Sequence, residues 1–215
     1  MSTTAAVSST CAACGEAAST TLKLQRCTAC RSVAYCGRDC QLAHWKQHKR
    51  RCKAIKAERS AEAAKRIVAA VYGRDLAGLK KLMVSEGGAS VDAFDAKGWT
   101  ALLVAACRGL LDFVVVLVDK GDNLDLAMES GATPVYMAAQ NGHHEAVCLL
   151  ADNGASLDLA REDGTTPVLM ASQNGHHEVV GVLADKGANL DLAMEDGCTP
   201  VLMAAEKGHH EGVRR

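Results

Sequence analysis

The stretch Gly131-Ala-Thr-Pro134-Val-Tyr-Met-Ala-Ala-Gln140-Asn-Gly142-His-His-Glu145 returns 33 residues later as Gly164-Thr-Thr-Pro167-Val-Leu-Met-Ala-Ser-Gln173-Asn-Gly175-His-His-Glu178. Over the whole period, Gly131–Asp163 and Gly164–Asp196 share 24 identities in 33, and Gly98–Ser130 shares 18 with Gly164–Asp196. Self-similarity at this period marks a solenoid of small stacked units, because one such unit cannot bury its own apolar face. Thr133 is placed to cap a helix whose first residue, Pro134, lacks only an N–H that would be orphaned there anyway. Val135, Met137, Ala138 and Ala139 make a short apolar helix, and Gly142 stops it. His143 and His144 begin the next, whose buried face is Val147, Leu149 and Leu150. Gly154 permits the positive φ of a helix end, and Leu157–Asp163 returns as a polar-tipped finger.

The period, with Thr133-Pro134-Val135-Tyr136, Thr166-Pro167-Val168-Leu169 and Thr199-Pro200-Val201-Leu202, resembles the ankyrin repeat. The resemblance implies a mainly α solenoid whose concave face and fingers bind a protein partner. The boundaries are repeats at 98–130, 131–163 and 164–196 and an incomplete one at 197–215. Residues 53–97 read as a linker helix and degenerate capping repeat, with helical stretches over Ala61–Tyr72 and Asp75–Ser85. The family's histidine after Thr-Pro-Leu is replaced by Leu103, Tyr136, Leu169 and Leu202, so the inter-repeat hydrogen bonds it supports are not expected from these positions. The pairs His143/His144, His176/His177 and His209/His210 read as helix-start packing rather than a metal ladder, because no acidic or thiol partner sits at ligand spacing. Because the chain stops inside a repeat, after Gly212-Val213-Arg214-Arg215, a truncated product is expected.

Composition separates a second region. Seven of the ten cysteines lie between Cys11 and Cys52, and residues 1–66 carry 13 Lys/Arg against 4 Asp/Glu, leaving 11 against 21 for the rest. Two dissimilar domains follow. No run of eighteen apolar residues could cross a membrane. Residues 1–10 are Ser/Thr/Ala-rich, with no basic start or apolar core, and read as a disordered tail rather than a secretory signal. Without such a signal the cysteines point to metal in a reducing, intracellular compartment, cytoplasm or nucleus.

From Cys11 the spacing is C-x2-C-x12-C-x2-C-x5-C-x3-C-x7-H-x3-C, through Cys14, Cys27, Cys30, Cys36, Cys40, His48 and Cys52. Eight ligands close two tetrahedral zinc sites and leave no open position for substrate. Cys36/Cys40 and His48/Cys52 are i,i+4 pairs that one helical turn puts on one face, and Gln41–Lys53, free of Pro and Gly, reads as that helix. So small a domain must draw most of its folding free energy from metal.

Cys11-Ala-Ala-Cys14, Cys27-Thr-Ala-Cys30, Tyr35-Cys36, Asp39-Cys40-Gln41 and His44-Trp45-Lys46-Gln47-His48-Lys49, ending at Cys52, resemble a MYND-type zinc finger over 11–52. The resemblance implies Cys11, Cys14, Cys36 and Cys40 on one Zn²⁺ and Cys27, Cys30, His48 and Cys52 on the other. It makes His48 the ligand and leaves His44 as a packing or hydrogen-bonding residue. It also implies binding of short proline-containing peptides at the positions of Thr28, Gln41 and Trp45, without enzymatic activity. Trp45 reads equally as core over the zinc helix.

The expected function is therefore a non-enzymatic, zinc-binding adaptor for proteins or proline-containing peptides, with no membrane and no small-molecule substrate among its partners. Acidic finger residues, among them Asp122, Asp125, Asp158, Glu162, Asp163, Asp191, Glu195 and Asp196, read as a surface for a basic partner or as a solubilising one. The alternative is a nucleic-acid-binding or transcription-associated protein using the basic segment 46–66, which has no aromatic interleaving for base stacking. An enzyme has least support. MYND fingers occur inside SET-domain methyltransferases, but this chain offers neither the residues nor the length for a SET fold. Cys107, Cys148 and Cys198 read as buried packing residues.

Overall fold

The computed structural model describes residues 12, 25–27, 33–35, 38–85, 92–194 and 196–209. Contacts divide the chain into two compact units, residues 1–62 and 63–215. The expectations for the 1–10 tail, Glu195, His210 and the final residues 211–215 lie outside the described residues.

In the first unit, β1 (Gln25–Arg26) pairs antiparallel with β2 (Ala34–Tyr35), Gln25 opposite Tyr35 and Arg26 opposite Ala34. The ladder continues as Cys27 N donates to Val33 O at 2.9 Å and Ala12 N to Ala34 O at 2.9 Å. Helix α1 (Arg38–Tyr72) follows. Separate helices were expected over 41–53 and 61–72. The observed helix starts at Arg38 and has no break between them, because no Gly or Pro occurs from 38 to 72 and the intervening residues are good helix formers. It stops at Gly73, where Arg74 takes φ +55°. Asp75 Oδ1 then accepts from Gly78 N at 2.8 Å, capping α2 (Leu76–Ser85).

The second unit is built of helix pairs: α3 (Ala101–Cys107) with α4 (Leu111–Asp119), α5 (Pro134–Gln140) with α6 (His144–Asp152), α7 (Pro167–Gln173) with α8 (His177–Asp185), and then α9 (Pro200–Glu206). The odd-numbered helices pack in one layer, α3 on α5 on α7 on α9, and α4, α6 and α8 in another. Thr100, Thr133, Thr166 and Thr199 each accept from the backbone N–H three residues on, at 3.2 to 3.3 Å, which supplies the cap the sequence predicts. Ala105, Ala106, Ala138, Ala139 and Ala171 are fully buried, so the inner helices approach closely on small side chains. The buried face of the outer layer is Val114, Leu117, Val147, Leu150, Val179 and Leu183. Ile67, Val68 and Val71 of α1 and Leu79 of α2 join the same apolar cluster.

Contacts between repeats add detail to two expectations. Bonds between repeats come from the helix-start histidines rather than from Leu103, Tyr136, Leu169 or Leu202. His143 Nε2 lies 3.1 Å from Cys107 O and His176 Nε2 3.0 Å from Gln140 O, each tying an outer-helix start to the preceding inner helix. The acidic fingers, read as a surface for a basic partner or as a solubilising one, are partly consumed internally. Asp92 accepts from Asn123 N at 2.7 Å, Asp125 from Ser156 N and Oγ at 2.8 and 2.7 Å, and Asp158 from Asn189 N at 2.9 Å. Asp122 is buried. His144 also differs from expectation, its Nδ1 lying 3.3 Å from Glu178 Oε2 of the next repeat. Of the three repeat cysteines, Cys198 is buried, in the turn before α9, while Cys107 and Cys148 are half-buried.

Candidate metal centre

Cys27 follows β1 directly, and its position in the ladder aims its thiol at α1. His48 and Cys52 sit one turn apart on that helix. The three donor atoms lie within 4.8 Å of one another. Their residues are 1%, 3% and 3% exposed, so this core is made of the donors themselves. Tyr35 is buried with Cys27 and Cys52, and Val33, Cys40, Ala12 and Ile55 pack against this cluster.

The donor set fits zinc. Cys27 Sγ and Cys52 Sγ are 3.7 Å apart. That is far beyond the roughly 2.05 Å of a disulfide. It matches the edge of about 3.8 Å that two Zn–S bonds of ~2.3 Å subtend in a tetrahedron. Two thiols and an imidazole are the donors a structural Zn²⁺ takes. Burial lowers the pKa of His48, aided by the nearby charges of His44 and Arg51, which favours the neutral imidazole that ligation needs. Three donors leave one corner of a zinc tetrahedron to be supplied from beyond this described group.

Around His48 the rings form a wall. Tyr35 OH and His44 Nδ1 are hydrogen-bonded at 3.0 Å. The His44 ring stacks on His48 at 6.0 Å, and Trp45 meets it edge-on at 6.0 Å. The structure thus brings Cys27, His48 and Cys52 together and gives His44 a different partner. The sequence left His44 as a packing or hydrogen-bonding residue, and the partner, Tyr35, is supplied by β2 nine residues away, which helical spacing alone does not indicate. Cys40, in the first turn of α1, is half-buried beside the donors but is not in their group. Cys11, Cys14, Cys30 and Cys36, with Thr28, lie outside the described residues. Gln41 is half-buried on α1, and Trp45 is 37% exposed, so the tryptophan is neither wholly core nor wholly surface.

No comparable donor group occurs elsewhere among the described residues. Burial raises the thiol pKa of both Cys107 and Cys198, away from nucleophilic thiolate. No described helix is long and apolar enough to cross a membrane.

Comparison with known families matches ankyrin repeats, in three copies, to residues 67–161 and 153–215, and the MYND finger to residues 11–52. Among curated proteins, SET domain-containing protein 14 of Caenorhabditis elegans is 49% identical over 43 residues, 20% of this chain and 10% of that protein. SET domain and MYND-type zinc finger protein 6 of Schizosaccharomyces pombe is 44% identical over 50 residues, 23% of this chain and 10% of that protein. The chain therefore spans about a tenth of the length of these relatives.

Proposed function

Since the chain belongs to the ankyrin-repeat family and carries a MYND finger, we propose that it is a non-enzymatic adaptor, joining a peptide-recognising zinc finger to a protein-binding repeat surface. In this reading two Zn²⁺ hold the finger, one on Cys11, Cys14, Cys36 and Cys40 and the other on Cys27, Cys30, His48 and Cys52. Thr28, Gln41 and Trp45 contact a proline-containing peptide. The domain limits are those of the repeat arithmetic, with 53–97 leading into the stack. The protein acts in a reducing compartment, cytoplasm or nucleus.

One observation carries the reading: the described donor residues are at most 3% exposed, whereas Trp45 beside them is 37% exposed. Buried donors under an accessible aromatic support a structural metal beneath a recognition surface, with Cys30 supplying the fourth ligand in this reading. The test is affinity capture with the full chain, zinc-loaded and zinc-stripped, alongside Trp45→Ala. Protein partners retained only with zinc, and reduced by Trp45→Ala at unchanged zinc content, are expected. Turnover of a captured protein by the zinc-loaded chain would refute the non-enzymatic reading.

A further inference from the structure

On α1, Leu42, Trp45, Lys46, Lys49, Arg50 and Lys53 follow an i, i+3, i+4, i+7, i+8, i+11 pattern, and all six are exposed. At 3.6 residues per turn they fall within an arc of about 140°, centred away from His48 and Ile55. The arc begins apolar, with Leu42 60% and Trp45 37% exposed, and continues as four cations. We propose that this face takes a peptide whose apolar anchor, seated at Leu42 and Trp45, is followed by a short acidic run lying along Lys46, Lys49, Arg50 and Lys53. The inference rests on the finger's reading as a peptide-binding module and specifies the chemistry of its ligand.

Three observations choose this occupant. The cations stand next to one another, Lys46 with Lys49 and Arg50, and Lys53 with Lys49 and Arg50. Like charges at i,i+3 and i,i+4 destabilise a helix, and an acidic partner relieves that repulsion. None of the four is ion-paired with a carboxylate among the described residues, and Glu58 projects from another side of the helix. The charge also changes sign along the face, because Asp39 is exposed in the first turn of α1, ahead of Leu42. A peptide acidic on one side of its anchor matches that polarity, whereas a uniform polyanion following the face would meet Asp39. From Lys46 to Lys53 the cations span about 10 Å. Three or four extended residues at about 3.3 Å each cover that length.

The experiment uses the zinc-loaded full chain, its metal content checked by mass spectrometry, and fluorescence anisotropy with synthetic peptides. One peptide carries a Pro-Pro-Leu core with a Glu-Asp-Glu extension, a second carries the isosteric Gln-Asn-Gln extension, and a third carries the acidic run on the opposite side of the core. The first is expected to bind about tenfold more tightly than the other two at low salt, and to lose that advantage at high salt, where charge is screened. The triple substitution Lys46→Glu, Lys49→Glu, Lys53→Glu is expected to remove the advantage while retaining zinc and binding of the neutral peptide. Leu42→Ala is expected to weaken all three. Equal binding of acidic and neutral peptides would overturn the inference and leave the peptide-binding reading intact. Failure of every peptide on zinc-loaded protein overturns both. Tight binding of duplex DNA or RNA through the same lysines, with a steep salt slope and no peptide preference, would assign the face to nucleic acid instead.

Discussion

His48 and His44 show how chemically equal side chains take unequal roles. They stack on one helix face at 6.0 Å, yet His48 lies against two buried thiols while His44 meets a phenol hydroxyl. His48→Ala and Cys27→Ser are each expected to lose one zinc equivalent by native mass spectrometry, and His44→Ala to keep both. Loss of an ion from His44→Ala would reverse the assignment. Asp122 is the opposite case, a charge where the repeat has no use for one. Its counterparts in the next two units are Ala155 and Ala188, both buried. Asp122 is 8% exposed, and its Oδ1 has no hydrogen-bond partner among the described residues. Burial, reinforced by Asp92, pushes its pKa up to about 7. That folded value lies above the unfolded one of roughly 3.9, so the folded state holds the proton more tightly. The resulting stabilisation is complete below about pH 4 and is lost as pH rises towards 7. Asp122→Ala is therefore expected to be more stable than the parent, by an amount that grows from pH 4 to 7 and reaches on the order of 3 kcal/mol. Melts at about pH 4.5 and about pH 7.5, just inside and just outside that window, measure the difference. A gain that does not change with pH would mean that Asp122 ionises freely in the fold.

Helix boundaries in the repeats follow from single residues. Thr166 Oγ1 accepts from Leu169 N at 3.3 Å, and Thr166→Ala is expected to cost about 1 kcal/mol in urea unfolding. Glycines with the same backbone differ in consequence. Gly142 and Gly154 have φ +76° and +88°, but a Cβ at Gly142 would lie 2.8 Å from His176 Nδ1, while at Gly154 it meets nothing within 4 Å. Both alanine variants carry the positive-φ strain of about 1 kcal/mol. Gly142→Ala adds displacement of the His176 ring and its bond to Gln140 O, so a total loss of about 2–3 kcal/mol is expected. Equal losses in the two variants would show that the histidine does not clamp the repeats. The sequence signal for these glycines was clear because helix ends are local. The reason Gly142 must stay small was not, because His176 reaches it only after stacking.

Across the molecule, the two units draw stability from different sources. Among the described residues, the first has a core of donor side chains and Tyr35, and the second an apolar cluster running from Ile67 to Ala188. Chelation of the full chain is expected to abolish the protection of amides in residues 25–52 from hydrogen exchange, while those of α5 to α8 keep theirs. Retained protection around Cys27 and His48 in metal-free protein would mean that the finger folds without its ion. The repeat period, the threonine caps, the one-turn spacing of His48 and Cys52 and the mainly helical class were all legible in the chain, because each is written within a few residues or in the recurrence of one spacing. Other features could not be read there: the union of two expected helices into α1, the bonds of His143 and His176 to the preceding inner helices, the use of Asp125 and Asp158 as bonds between fingers, and the burial of Asp122. The union arose because neither domain logic nor ligand spacing interrupts a run without Gly or Pro. The others arise between side chains and backbone groups about one repeat apart, and such groups acquire partners only when stacking brings successive units into contact.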